Sequence, residues 1–235
     1  MAQLSRLDLK GRAQTGQGII DPDTLGPTLD QFATEIVSQI YEGAWGTDVR
    51  AGIIGEIGCQ APWTDLEKCV MRGALIAQQE TGAALNVHPG RHPDQPQEVV
   101  DFVTVHGGDP TRLIISYIDR TIFDDEASRI ADSGGTLELD LFGQEQSLYS
   151  LDLKVDLLND AGRLHSIRQL LDRGHLEQIT MSHDICYRAR LVKFGGHGYG
   201  HIFENVVPLM RRRGFSEDEI EQITIEMPKR LLTFN

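Results

Sequence analysis

The residue types best suited to metal or acid–base chemistry occur where apolar stretches of this sequence end. They are Glu56, His88, Tyr117 together with Asp119, Asp140 and Asp184. Carboxylates and imidazoles that converge on one point are suitable ligands for Zn²⁺, Mn²⁺ or Fe²⁺. Each residue alone also has an ordinary alternative, such as an ion pair, a hydrogen bond to a carbonyl group or a helix cap. Because these residues recur at equivalent positions of successive predicted strands, the sequence favours a shared functional site.

Glu56 lies near the end of the apolar stretch Gly52–Cys59, whose β-branched residues predict a strand buried on both faces. A buried carboxylate is costly, so Glu56 needs a cation, a cluster of hydrogen-bond donors or a proton. Gly55 and Gly58 permit close approach of a ligand or another backbone segment. An arginine on a neighbouring strand is the alternative partner.

A glycine-rich segment, Phe194–His201, precedes the predicted helix that begins at Ile202. Its glycines suit close approach of a substrate, and His197 or His201 could line a pocket. The alternative is that the segment is a tight turn packed over the mouth of a βα barrel formed by the predicted strands. The segment does not follow a first strand, so it does not support a dinucleotide-binding fingerprint. We expect the histidines in polar loops or on helices to be ordinary: His92, His106, His165 and His175.

Strand-like and helix-like segments alternate from residue 51 onward, which predicts parallel βαβ units and an α/β fold. The predicted strands are 51–58, 83–87, 112–118, 136–141 and 179–182. The predicted helices are 32–41, 65–80, 96–105, 124–131, 161–173, 202–213 and a last one ending near Met227 and Pro228. Capping boxes of Thr64 with Glu67 and of Ser216 with Glu219 mark two helix starts. Residues 1–30 predict a hairpin-like arm around Asp21-Pro22-Asp23, and residues 31–235 a βα domain.

Composition restricts the class of protein. The chain has 22 Lys and Arg against 35 Asp and Glu, a formal charge of −13, which argues against nucleic-acid or acidic-membrane partners. Its three cysteines have no CxxC spacing, as expected for reduced thiols inside a cell. Residues 1–12 are too polar for a signal peptide, and no apolar run is long enough for a membrane span. These features predict a soluble cytoplasmic protein.

Several of these segments together resemble the phosphotriesterase-related branch of the amidohydrolase superfamily. The segments are residues 52–59, 87–91, 118–121, 138–143, 182–184, 195–199 and 228–234. The resemblance implies a (β/α)₈ barrel with two divalent metals at its C-terminal face. It also implies that Glu56 is the bridging carboxylate, that His88 is a metal ligand, and that Asp184 is a ligand that handles the proton of the metal-bound water.

Two departures from the family pattern affect this interpretation. Tyr117 stands at the sixth-strand histidine ligand, and a tyrosine ligates metal only as a phenolate, with an unperturbed pKa near ~10. The His-x-His pair of the family's first strand is absent from this sequence. The resemblance therefore implies that the first three βα units are missing between about Leu29 and Asp30. The five strand–helix units of the sequence predict a partial TIM-type barrel, because a closed barrel has eight such units.

The sequence thus predicts a metal-dependent hydrolase in which activated water attacks an ester, lactone, phosphoester or amide bond of a small molecule. Zn²⁺ is the expected metal, with about one ion per chain by the ligand count of catalytic sites. Asp184 would accept the proton, while Arg91, His197 and His201 would hold the substrate. The alternative is a catalytically inactive partial barrel that binds a partner. The exposed edge strands of an open sheet must be covered, and association into a homo-oligomer is one way to cover them.

Overall fold

A computed structural model describes residues 29–121, 125–149 and 152–234. The chain divides into two compact units. The first contains the residues up to Ile115, the short segment Ser133–Gly135 and the residues from Arg230 onward. The second contains Ser116–Asp132 and Thr136–Lys229.

Three parallel strands and three helices alternate in the first unit. In chain order they are α1 (Leu29–Tyr41), β1 (Ile54–Gly58), α2 (Asp65–Thr81), β2 (Leu85–His88), α3 (Gln95–Val105) and β3 (Leu113–Ile115). The strand order is β1-β2-β3. Strands β2 and β3 are in continuous register, from Leu85 opposite Leu113 to Val87 opposite Ile115. All three residues of β3 are buried, as expected for a parallel strand covered on both faces.

The pairing of β1 with β2 contains an irregularity that bears on the site. Ile54 is opposite Leu85 and Ile57 is opposite Val87, so β1 has one more residue than β2 between these pairs. Gly55 lies in this interval with a φ of 125°, and a Cβ there would come within 2.4 Å of the Asn86 carbonyl oxygen. A glycine is therefore required, because only a residue without Cβ allows this backbone approach.

Helix α2 has the start and end that its sequence predicts. Thr64 accepts a hydrogen bond from the backbone N–H of Glu67, and the Glu67 carboxylate accepts one from the backbone of Thr64. Gly82 ends the helix in the left-handed conformation, with φ 69°. Helix α2 packs on α1 at Gly73, where a Cβ would lie 2.7 Å from Cβ of Phe32. This contact brings the two helix backbones close together.

The second unit contains two strands and six helices among its described residues. They are α4 (Ile118–Thr121), α5 (Asp125–Asp132), β4 (Thr136–Leu139), α6 (Asp160–Asp172), β5 (Ile179–Met181), α7 (Val207–Arg212), α8 (Glu217–Glu221) and α9 (Met227–Leu232). Helix α9 crosses the unit boundary at Arg230. Strands β4 and β5 are parallel, with Leu137 opposite Ile179 and Leu139 opposite Met181.

Two π-helical turns, Ile202–Val206 and Gln222–Glu226, precede α7 and α9. Each is followed within two residues by a proline, Pro208 or Pro228. A π-turn moves the preceding carbonyl group away from the proline ring, which would clash with it in a regular α-helix. Our prediction that the last helix ends near Pro228 is therefore wrong, since the helix continues to Leu232.

Three of the five strands end earlier than the sequence predicted, whereas β1 ends at the predicted residue and β2 extends one residue beyond it. The strand expected over 112–118 ends at Ile115, and Asp119 lies in the helical turn α4 instead of at a strand end. Glu56 lies in the middle of β1, not near its end. The predicted hairpin-like arm of residues 1–30 lies almost entirely outside the described residues. Among the described helices, none is both long and apolar enough to cross a membrane.

Candidate functional site

Glu56 and His88, on the neighbouring strands β1 and β2, form a direct side-chain contact. Oε1 of Glu56 lies 3.0 Å from Nδ1 of His88, and both side chains are largely buried, with 25% and 17% of their surface exposed. His88 is the last residue of β2 and is the register partner of Gly58. The contact gives the Glu56 carboxylate the polar partner that its burial requires. Carboxylates and imidazoles are also both ligand types for a divalent metal such as Zn²⁺.

The segment after His88 is held by Gln95, a buried residue at the start of α3. The Gln95 side chain accepts a hydrogen bond from the backbone N–H of Gly90 and donates one to the backbone carbonyl of Gln60. A Cβ on Gly90 would collide with Gln95 Oε1. Gln95 therefore fixes the path of the chain next to Arg91, which is exposed.

Cys59 lies beside the same histidine, with its backbone N–H donating to the His88 carbonyl oxygen at 3.0 Å. Burial is the main reason that the pKa of the Cys59 thiol is raised far above its ordinary value. This shift favours the protonated thiol at neutral pH, and the protonated thiol is a poor nucleophile.

Tyr117 lies two residues beyond β3 and is buried. Its backbone has φ 58°, a left-handed conformation that is uncommon for an aromatic residue. Its backbone N–H donates to Oδ1 of Asp140 at 3.1 Å, and the Arg120 guanidinium lies 4.5 Å from the centre of its ring. Asp140, the residue directly after β4, thus orients the backbone of Tyr117.

A buried network of charges follows Tyr117 in the second unit. Nε of Arg163 donates to Oδ2 of Asp119 at 2.7 Å, and neither side chain has exposed surface. The other carboxylate is Asp160, whose Oδ1 lies 3.1 Å from Nη1 of Arg163. Burial raises the pKa of Asp119, and the Arg163 guanidinium opposes that rise. One arginine therefore connects the turn α4 to the start of α6.

Asp160 also connects these elements to the glycine-rich segment. Its Oδ1 accepts the backbone N–H of Gly143 at 2.8 Å, and its Oδ2 lies 2.6 Å from Nε2 of His201. Nδ2 of Asn205 lies 3.2 Å from Nδ1 of His201. Both ring nitrogens of His201 therefore have protein partners, and these partners assign the tautomer: Nε2–H donates to Asp160 and Nδ1 accepts from Asn205.

His197 packs over the backbone of Gly143, where a Cβ would lie 2.4 Å from its ring. The rings of His197 and His201 are 5.3 Å apart between centroids. The ring of His197 also bonds the backbone of His183, and burial is the main cause that lowers its pKa. Nε2 of His197 is buried and has no hydrogen-bond partner among the described residues.

Asp184 lies three residues beyond β5, again in the left-handed region with φ 40°. Nη1 of Arg190 lies 2.8 Å from its Oδ2 and also bonds its carbonyl oxygen. Cys186 is close by, and burial together with the Asp184 carboxylate raises the pKa of its thiol to about 11. The guanidinium of Arg190 thus neutralises the carboxylate that the family resemblance makes a metal ligand.

The fit of a divalent metal is only partial. Across 29–121, 125–149 and 152–234, no three His, Cys, Asp or Glu side chains are grouped as metal ligands. Glu56 and His88 supply two ligands, whereas catalytic zinc sites have three protein ligands. The pair is therefore one ligand short of such a site.

Sequence reasoning did not identify Gln95, Asp160 or Arg163 as residues that position the site. Asp160 could have been noticed as an acidic first residue of a helix preceded by the N-cap Asn159. Arg163 carried no signal, because a single arginine on a predicted helix is usually exposed. Only its tertiary contacts with Asp119 and Asp160 show that it is buried.

The chain is similar to a family of known enzymes over most of its length. Residues 19–232 match the model described as the phosphotriesterase family. A protein named N-acetyltaurine hydrolase from Salmo salar is 43% identical over 208 residues, which are 88% of this chain and 60% of that protein. A phosphotriesterase-related protein from Nematostella vectensis is 38% identical over 92% of this chain and 62% of its own length. The chain thus spans about three fifths of the length of these curated relatives.

Solved structures show the same fold. The phosphotriesterase homology protein from Escherichia coli, complexed with phosphate in its active site, matches with a TM-score of 0.81 and 28% identity, over 93% of this chain and 72% of that chain. A resiniferatoxin-binding protein from Rhodobacter sphaeroides matches with a TM-score of 0.84 and 31% identity, over 91% of this chain and 59% of that chain. The predicted α/β fold of a partial TIM-type barrel is confirmed.

Proposed function

This chain belongs to the phosphotriesterase family of the amidohydrolase superfamily, and we propose that it is a divalent-metal-dependent hydrolase of small molecules. The bond cleaved is an ester, lactone, phosphoester or amide bond. We place the amide bond of small N-acylated anions first, because relatives of 40–43% identity are named N-acetyltaurine hydrolase. We also propose that the protein is located in the cytoplasm and that the metal is Zn²⁺.

The observation that carries the proposal is the 3.0 Å contact between Oε1 of Glu56 and Nδ1 of His88. These two side chains would hold the metal. A bound divalent cation lowers the pKa of a water ligand and so supplies a nucleophile at neutral pH. The two residues lie on neighbouring paired strands, with Glu56 in the interval where the register of β1 shifts and His88 opposite Gly58, and this backbone pairing holds their separation.

The remaining roles are assigned to residues beyond the metal pair. Asp184 would accept a proton from the attacking water once Arg190 releases its carboxylate. Arg91, exposed after β2, would attract the anionic group of the substrate. His197 would bind the substrate, and His201, whose ring nitrogens both have protein partners, would contribute by positioning His197. Tyr117 would stand at a metal-ligand position without being an imidazole.

The test is release of acetate from N-acetyltaurine by the full chain with added Zn²⁺, compared with Glu56→Gln and His88→Asn. The wild-type chain should show turnover that a chelator abolishes, and each variant should lose about 100-fold or more. His106→Asn is the control, since His106 lies on the exposed end of α3. Turnover that survives both substitutions and chelation would contradict the proposal.

A second candidate is an inactive binding protein with the same fold. It is favoured by the absence of His-x-His from the sequence and by the ion pair of Asp184 with Arg190. One relative of known structure is itself described as a resiniferatoxin-binding protein. Saturable binding of a small molecule by the full chain, without chelator-sensitive turnover of any substrate of the four bond classes, would support this candidate.

A further inference from the structure

The two histidines of the glycine-rich segment differ in their free hydrogen-bonding capacity. Both ring nitrogens of His201 have partners, Asp160 at 2.6 Å and Asn205 at 3.2 Å. Nε2 of His197, by contrast, is buried and has no hydrogen-bond partner among residues 29–121, 125–149 and 152–234. Buried polar atoms in native proteins almost always have a partner, so an exception needs an explanation.

The second nitrogen of the His197 ring determines what Nε2 can do. The ring forms a hydrogen bond with the backbone of His183, and this bond acts to raise the pKa of the ring. That effect is expected when a ring N–H donates to a carbonyl oxygen. Since Nε2 has no partner, this bond belongs to Nδ1. A neutral imidazole with its proton on Nδ1 presents Nε2 as a hydrogen-bond acceptor.

The position of the His197 ring is fixed by its surroundings. One face lies against Gly143, where a Cβ would come within 2.4 Å of the ring. The backbone N–H of Gly143 is held by Asp160, which also holds His201. Gly198, with φ 73°, donates its N–H to the carbonyl oxygen of Arg190, which closes the segment on itself. The free acceptor is therefore held in a single orientation.

We propose that Nε2 of His197 accepts a hydrogen bond from an N–H group of the substrate, and that His201 with Asp160 positions His197 without contacting the substrate. This inference rests on the proposed function, and it makes His197 a residue that selects amides over the corresponding esters. An ester oxygen at the same place has no proton and would leave the buried acceptor unpaired.

The test compares two probes that differ only in the group facing Nε2, 2-acetamidoethanesulfonate with an N–H and 2-acetoxyethanesulfonate with an ester oxygen. Binding to the full wild-type chain is measured by calorimetry and by ligand-observed NMR. The wild type should bind the amide about 5- to 10-fold more tightly. In His197→Asn this preference should vanish through weaker binding of the amide alone, because Asn retains a donor near Nδ1 and has no atom near Nε2. His197→Gln, which places an amide oxygen near Nε2, should restore part of it.

His201→Asn is expected to weaken the amide probe more than the ester probe, but by less than His197→Asn does, because His201 acts only by positioning the acceptor of His197. His165→Asn, on the exposed face of α6, is the control, and circular dichroism shows that each variant is folded. Equal binding of the two probes by the wild type, binding of neither probe, or equal losses in His197→Asn would overturn the inference. If the chain prefers the amide probe but hydrolyses no substrate, the proposed function is contradicted and this inference stands. If the chain hydrolyses its substrate but His197→Asn keeps the same amide preference, this inference is contradicted and the proposed function stands.

Discussion

Nη1 of Arg190 lies 2.8 Å from Oδ2 of Asp184, so a side chain of the same loop occupies the carboxylate that the family resemblance assigns to a metal. The two side chains are each 19% exposed, and Asp184 has a left-handed backbone. A cation already held at this distance competes with any metal ion for the same oxygen atoms. Whether the Asp184 carboxylate can bind a metal ion therefore depends on the ion pair with Arg190.

Arg190→Gln should free Asp184 and tighten Zn²⁺ binding to the full chain by about 5-fold or more. Equilibrium dialysis with Zn²⁺ followed by elemental analysis measures the change. Arg188→Gln is the matched control, because the Arg188 guanidinium lies over the Phe194 ring at 4.8 Å. Unchanged affinity in Arg190→Gln, or an equal gain in the control, would show that the ion pair does not restrict metal binding.

Removal of Arg163 should destabilise the second unit strongly. Arg163→Met leaves the fully buried carboxylate of Asp119 without its cation, and we expect a loss of about 3–5 kcal/mol in the free energy of unfolding. Urea denaturation measures it. Arg168→Met provides the comparison, because its pair with Glu219 is partly exposed and should contribute about 1 kcal/mol.

Adding Asp119→Asn to Arg163→Met should recover part of the loss, since the uncompensated charge is then gone. Similar losses in Arg163→Met and Arg168→Met would contradict the assignment of Arg163 to a buried charge network.

Acidification should destabilise the folded chain through His197. Its pKa is lowered below the usual 6.5 by burial, so the unfolded state binds more protons between the two pKa values. The stabilisation is present above the unfolded pKa and is lost as the pH falls through the folded one. The free energy of unfolding should decline as the pH falls below about 7.5, and less steeply in His197→Asn. His165→Asn should keep the wild-type slope, and a wild-type slope in His197→Asn would refute the prediction.

The effect of Tyr117→His should depend on the rest of the barrel. In this chain the substitution should leave the Zn²⁺ content at about one weakly held ion or less, because the first-strand ligands are absent. In a chain with three βα units carrying His-x-His inserted between Leu29 and Asp30, it should raise metal occupancy. Neutral imidazole binds metal at pH 7, whereas a phenol with a pKa near ~10 must first lose its proton.

Metal stoichiometry and esterase rate in the four chains, with and without the inserted units and with either residue at position 117, test this prediction. Two tightly held ions in the present chain would contradict it. Hydrolysis by the present chain at the rate of the extended one would show that five units are sufficient.

The sequence by itself determined the order and type of the main elements, because hydrophobic periodicity and capping act over a few neighbouring residues. The capping boxes at Thr64 and Ser216 are present as predicted. The motifs from Gly52 onward also indicated the family, which the match over residues 19–232 confirms. Element ends were less accurate, since β3 stops at Ile115 and Pro228 lies within a helix.

Only the tertiary structure decided which polar residues have partners. The sequence treated His197 and His201 alike, yet His201 is held by Asp160 while Nε2 of His197 has no partner among the described residues. It gave no sign that Arg163 is buried or that Arg190 pairs with Asp184. Such contacts join residues that are distant in sequence, and their energies depend on burial and on separations of a few tenths of an ångström, which no local pattern encodes.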